Sequence, residues 1–231
     1  MKIEKIDAND LSLQLFFSEF LNNKPVIITG EMEDWPLSGT DLNHFEEKYG
    51  DKTAPVRGSN VDDFQEYMEV KVSEYIKHMK NNPDKWYCDF PTDFEEFPEL
   101  RKLYTVPEYF STNATSYRNG ALHQWLYLGG EGTGTPLHTD VEGSYAWNAL
   151  IFGEKEWIVF PPSSNVKEYE GKVDLLSNSN QANSIIEKKD YFYFHQKPNE
   201  IVYIPSNFAH QVKNSSASLC ITGNFWINNS N

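Results

Sequence analysis

GTGTPLHTDVEGSYAWNALIFGEKEWIVFPP, residues 132–162, holds a His-x-Asp pair (His138, Asp140), then Asn148, then Lys155 at the head of an apolar run. On a β-strand, residues i and i+2 point to the same face, so both side chains of the pair can reach one ion from one side. A third ligand then has to come from a strand that neighbours this one in space. The stretch IVYIPSNFAHQVKNSSASLCITGNFW, residues 201–226, supplies a candidate in His210, just after a strand-like run at 201–205. Two imidazoles and one carboxylate leave three adjacent coordination positions open, the arrangement used by non-haem Fe(II) oxygenases. A His-x-Asp pair taken alone is a weak signal, and its surroundings have to carry the reading.

Around the pair the chain is β-rich. Runs at 122–128, 146–152, 156–160, 201–204 and 219–225 are separated by Gly, Pro, Asn and Ser clusters, a pattern of many short strands in a sandwich or barrel. Periodicity leaves both open. Residues 1–119 read as mixed α and β. Helical spacing covers 11–21, a short buried strand PVIITG spans 25–30, and helices follow at 42–49 and 72–79. Strand character returns at 86–90, with short helical pieces at 98–104 and 107–110. No internal repeat or linker interrupts the chain, so 1–231 reads as one domain, with an N-terminal α/β extension over 1–119 and a β core over 120–228. Residues 163–200 form the one long connection and read as a flexible excursion.

The surroundings of the pair resemble the Jumonji-C family, cupin-like oxygenases that use Fe(II) and 2-oxoglutarate, nearest the branch of the lysyl hydroxylase and arginine demethylase. The shared positions are Gly143, Ser144, the run AWNAL at 146–150, Gly153, Lys155, Phe160 and Pro161. Ile221, Thr222, Asn224 and Phe225 match the family's last strand. The resemblance is firm over 124–226 and implies a double-stranded β-helix. It implies that His138, Asp140 and His210 hold Fe(II), with 2-oxoglutarate and O2 filling the open positions. Lys155 would meet the distal carboxylate of 2-oxoglutarate. An ammonium beside an otherwise apolar strand is costly without an anion, which gives that role a physical basis. Thr222 would join it on the same carboxylate, Asn148 and Asn224 would be further cosubstrate contacts, and Thr135 would lie near the reacting substrate.

One position departs from the family. Its cosubstrate tyrosine aligns with Trp86, which leaves Tyr87 on the opposite face, so either the register slips or that contact is lost. His44, His78, His123 and His195 lack a ligand-like setting. The implied reaction is hydroxylation of a side chain of a protein, peptide or amino-acid-like substrate, with release of succinate and CO2. N-methyl demethylation by the same machinery is the alternative. A non-oxygenase metal cupin, such as an isomerase, or a binding module would not need Lys155 and Thr222 where they stand.

Composition sets outer limits. Of 231 residues, 39% are hydrophobic and 15% aromatic, enough for a sizeable core. A net charge of −14 argues against nucleic acid, which needs a basic face. The two cysteines, Cys88 and Cys220, make no disulfide framework. No apolar run is long enough to span a bilayer, and the first residues lack a signal-peptide core, which together imply a cytoplasmic protein.

Overall fold

Inward and outward side chains alternate along each strand, and this alternation organises the computed structural model, which describes residues 1–59, 66–168 and 171–228. The first half runs β1 (Glu4–Asp7), α1 (Leu13–Leu15) widening into a π-turn at Phe16–Phe20, β2 (Val26–Thr29), α2 (Leu42–Tyr49), β3 (Thr53–Gly58) and β4 (Tyr67–Lys71). Next come α3 (Val72–Asn81), β5 (Trp86–Pro91), β6 (Ala114–Thr115), and a small hairpin of β7 (Tyr117–Arg118) and β8 (Ala121–Leu122). The second half holds β9 (Gln124–Gly129), β10 (Gly134–His138), β11 (Tyr145–Phe152), β12 (Lys155–Phe160) and α4 (Asn180–Ile186). It ends with β13 (Phe192–Gln196), β14 (Ile201–Ile204), β15 (Ala209–Asn214) and β16 (Ser218–Ile227).

Two sheets face each other. The larger has the order β1-β2-β14-β11-β16-β9-β5-β3-β4, and the smaller β10-β15-β12-β13. From β9 to β16 the chain crosses from one sheet to the other at almost every turn. That winding is a double-stranded β-helix, and it decides the sandwich-or-barrel question. β11 shows how the two faces are used. Trp147, Ala149 and Ile151 point outward into a core shared with Phe16, Phe20, Phe97 and Phe110 of the first half. Phe110 lies flat against Trp147 with centroids 5.8 Å apart and planes 5° apart. Ala146, on the opposite parity, faces Trp157, Val159 and Val212 of the smaller sheet and closes one part of the barrel interior. Asn148 shares that inward parity.

Helix α2 matches its expected span. Asp41 caps it by accepting from His44 N at 2.8 Å, and Gly50 ends it. The 163–200 connection is not a free excursion. Val173, Leu175 and Ala182 are buried against Leu137, Ile158, Phe160 and Ala209 on the outer side of the smaller sheet. The polar tract at 177–184 becomes the start of α4, with Ser179 accepting from Ala182 N at 3.1 Å. The aromatic run at 191–194 leads into β13, paired along β12. Apolar residues on the outer face of the smaller sheet need cover, and this segment supplies it. No helix among the described residues is long and apolar enough to cross a membrane.

Candidate metal centre

β10 and β15 run antiparallel with His138 directly opposite His210. The strand ends at His138. Asp140 lies two residues beyond it, in extended conformation (φ −61°, ψ 150°), at the head of a one-turn 3-10 helix Val141–Gly143. The expected reach of the pair is therefore met, although Asp140 is a strand-end residue rather than a strand residue. An aspartate here would ordinarily cap the turn. This one makes no such bond. Its carboxylate instead faces both imidazoles, 3.8 Å from His138 Nε2 and 3.9 Å from His210 Nε2. Those separations exceed hydrogen-bond reach and leave room between the groups. One ligand atom from each residue lies within 4.8 Å of the others, a set that could hold a metal ion.

The imidazoles are oriented from behind. His138 Nδ1 donates to the Pro136 carbonyl at 2.8 Å and His210 Nδ1 to the Phe208 carbonyl at 3.0 Å. A carbonyl only accepts, so each Nδ1 carries the proton and each Nε2 keeps its lone pair for an ion. His210 also stacks on Trp157 with centroids 6.0 Å apart. Burial, reinforced by the neighbouring His210 and opposed by Asp140, pushes the His138 pKa down to about 4. At neutral pH that ring is an uncharged donor, the form a metal requires.

The remaining expected residues, Thr135, Asn148, Lys155, Thr222 and Asn224, line the same cavity as the triad. Lys155 is 1% exposed. Its ammonium donates to Asn214 Oδ1 at 2.7 Å and to the Tyr87 hydroxyl at 3.3 Å. Among the described residues it has no carboxylate partner, and burial pulls its pKa below the usual lysine range. A buried ammonium served only by neutral groups is expensive, and an anionic ligand offsets that cost. The Thr222 hydroxyl accepts from Asn148 Nδ2 at 2.5 Å, which leaves its own proton to give to a ligand oxygen. Asn148 Oδ1 is buried without a partner among the described residues. Asn224 Nδ2 donates to Ser144 Oγ at 3.0 Å, so half of that amide is committed to the wall. Cation, hydroxyl donor and three-ligand set in one cavity are the donor groups that iron and a dicarboxylate need.

The Trp86 alignment does not survive. Tyr87, not Trp86, lines the cavity and meets Lys155, while Trp86 packs into the outer core. The reason is the pairing of β5 with β9, in which Tyr87 sits opposite Gly129. A Cβ on Gly129 would come within 2.5 Å of the Tyr87 ring. The bare glycine makes room for an inward tyrosine. The sequence reading also missed Tyr127, which lines the cavity with its ring 5.3 Å from that of Tyr87, and Asn214, which holds Lys155. Gly129, at the end of β9, was the available signal for Tyr87.

A profile of the cupin-like domain family matches residues 13–231. A chicken protein named 2-oxoglutarate and iron-dependent oxygenase JMJD4 is 28% identical over 262 residues, covering 100% of this chain and 60% of that protein. The bifunctional arginine demethylase and lysyl-hydroxylase psr-1 of Caenorhabditis elegans is 28% identical, covering 96% of this chain and 61% of its own length. The arginine-specific demethylase JMJ20 of Arabidopsis thaliana is 26% identical, covering 98% and 57%. The chain thus spans about three-fifths of the length of these relatives. Since the matched profile takes in the triad, the Lys155 pocket and all eight strands of the double-stranded β-helix, this chain belongs to the cupin-like domain family.

Proposed function

We propose that this chain is an Fe(II)- and 2-oxoglutarate-dependent oxygenase that hydroxylates a side chain of a protein or peptide. The observation that carries the reading is Lys155, a buried ammonium with no carboxylate partner among the described residues, in the same cavity as His138, Asp140 and His210. Bound iron and 2-oxoglutarate supply the oxidising chemistry, in which O2 is consumed, succinate and CO2 are released, and one oxygen atom is placed on the substrate carbon. The chain's own contribution is positional. Lys155, Thr222 and Tyr87 orient the distal carboxylate of 2-oxoglutarate, and the triad fixes the metal.

Tyr87 accepts from Lys155 and keeps its own proton for the ligand, since burial holds its phenol well above the usual range. Tyr87→Phe is therefore expected to raise the KM for 2-oxoglutarate about 2- to 10-fold, the worth of one neutral hydrogen bond. A KM equal to that of the parent would return this tyrosine to a purely structural role.

Relatives named as lysyl hydroxylase and arginine demethylase support a basic residue of a protein as the target. A net charge of −14 favours a cationic partner. Hydroxylation is the simpler of the two outcomes, because demethylation also needs a pocket that admits a methylated ammonium or guanidinium. Paired methylated and unmethylated lysine and arginine peptides, incubated with Fe(II), ascorbate and 2-oxoglutarate, decide the matter by mass spectrometry. A one-oxygen mass gain on the unmethylated peptide is expected. Formaldehyde released only from the methylated peptide would reverse the assignment. Two free and buried thiols, Cys88 and Cys220, support a reducing, cytosolic setting.

A further inference from the structure

Asp140 stands apart from the two histidines in how its backbone is held. His138 and His210 sit in a strand ladder, whose last pair they form. Asp140 lies past that ladder, and its side chain does not anchor it by capping the turn that follows. Its direction therefore depends on the turn itself. That turn is strained. Glu142 adopts a left-handed conformation (φ 49°, ψ 31°), which a non-glycine residue rarely takes, and Gly143 follows at φ 65°.

Separate parts of the chain clamp this turn. The Trp226 indole N–H, at the end of β16, donates to the Glu142 carbonyl at 3.3 Å. The Ser206 hydroxyl, between β14 and β15, donates to the Gly143 carbonyl at 2.6 Å. Arg118, from the β7–β8 hairpin, donates through Nε to the Glu142 carboxylate at 2.6 Å while its guanidinium lies over the Trp226 ring. Arg118 and Glu142 are each about half exposed, and a pair so exposed adds little to stability. A strained turn held on both carbonyls, directly after a candidate ligand, has positional rather than energetic consequences.

We infer that Arg118, Glu142 and Trp226 form a clasp that aims the Asp140 carboxylate at the metal, acting as positioning residues. The inference rests on the proposed metal centre. Its test is a titration of the metal-free protein with Co(II), followed by visible absorption, alongside thermal unfolding of the same metal-free samples. Arg118→Met removes the ion pair and the stacked cation. Trp226→Phe keeps a ring and removes the indole donor.

Each variant is expected to weaken Co(II) binding about 10-fold, the usual effect of removing a group that orients a ligand. The metal-free Tm is expected to move by no more than about 4 °C. The double variant is expected to lose less than the product of the two, since both act on one turn. Unchanged Co(II) affinity in both single variants would overturn the clasp and leave the metal centre standing. So would a loss of affinity accompanied by a larger fall in Tm, which is what a merely structural role gives. Failure of the parent protein to bind Co(II) would overturn the clasp and the metal centre together.

Discussion

His138→Ala and His210→Ala are each expected to abolish 2-oxoglutarate turnover, by on the order of 10³-fold or more, because several kcal/mol of metal-derived stabilisation disappears. Bound iron, measured by elemental analysis of protein loaded anaerobically, is expected to fall with the activity. The two variants differ in their side effects. His138 is a third exposed at its side chain and His210 only 6%. His210 also stacks on Trp157, so its removal opens a gap beneath the ring. His210→Ala is thus expected to lower stability by about 1–3 kcal/mol, and His138→Ala by less. Circular dichroism and thermal unfolding separate that cost from the loss of metal. Full iron occupancy in both variants would remove the triad from the argument.

Lys155→Met is the second large effect. Its ammonium would make the only ionic contact that the described cavity offers to a dicarboxylate. Loss of a charge-assisted hydrogen bond worth about 1.5–3 kcal/mol raises the KM for 2-oxoglutarate roughly 10- to 150-fold. Stability is expected to move the other way or not at all. Methionine has a similar shape, and replacing a buried charge that lacks a counter-ion removes its desolvation cost. The paired measurement is a thermal shift. 2-Oxoglutarate is expected to raise the Tm of the parent and to have little effect on the variant, since only ligand bound to the native state stabilises it. An unaltered KM together with an unaltered shift would mean that the cosubstrate lies elsewhere.

Much of the site was legible along the chain because its parts are closely spaced. His138, Asp140, Asn148 and Lys155 fall within eighteen consecutive positions. Thr222 and Asn224 stand two residues apart on the last strand, so their shared face could be read directly from strand parity. The strands at 146–152, 156–160 and 201–204, and helix α2, were visible for the same reason: local pattern and capping residues act over a few positions.

What the sequence determined by itself was the set of candidate donors and their order: two imidazoles, one carboxylate, one lysine and one threonine. Tertiary structure decided which other groups reach them. Whether Trp86 or Tyr87 faces the cavity depended on the register of β5 against β9 and on the missing side chain at Gly129, a contact made across 42 positions of chain. Asn214 reaches Lys155 across 59 positions, and residues 173–186 cover a sheet face formed by strands on either side of them. The turn after Asp140 is held by Arg118, Ser206 and Trp226, residues that no local pattern connects. Propensity and periodicity act over a few residues, whereas strand register and packing act between segments far apart in sequence. Register therefore chose the cavity's tyrosine and packing set the direction of the Asp140 carboxylate.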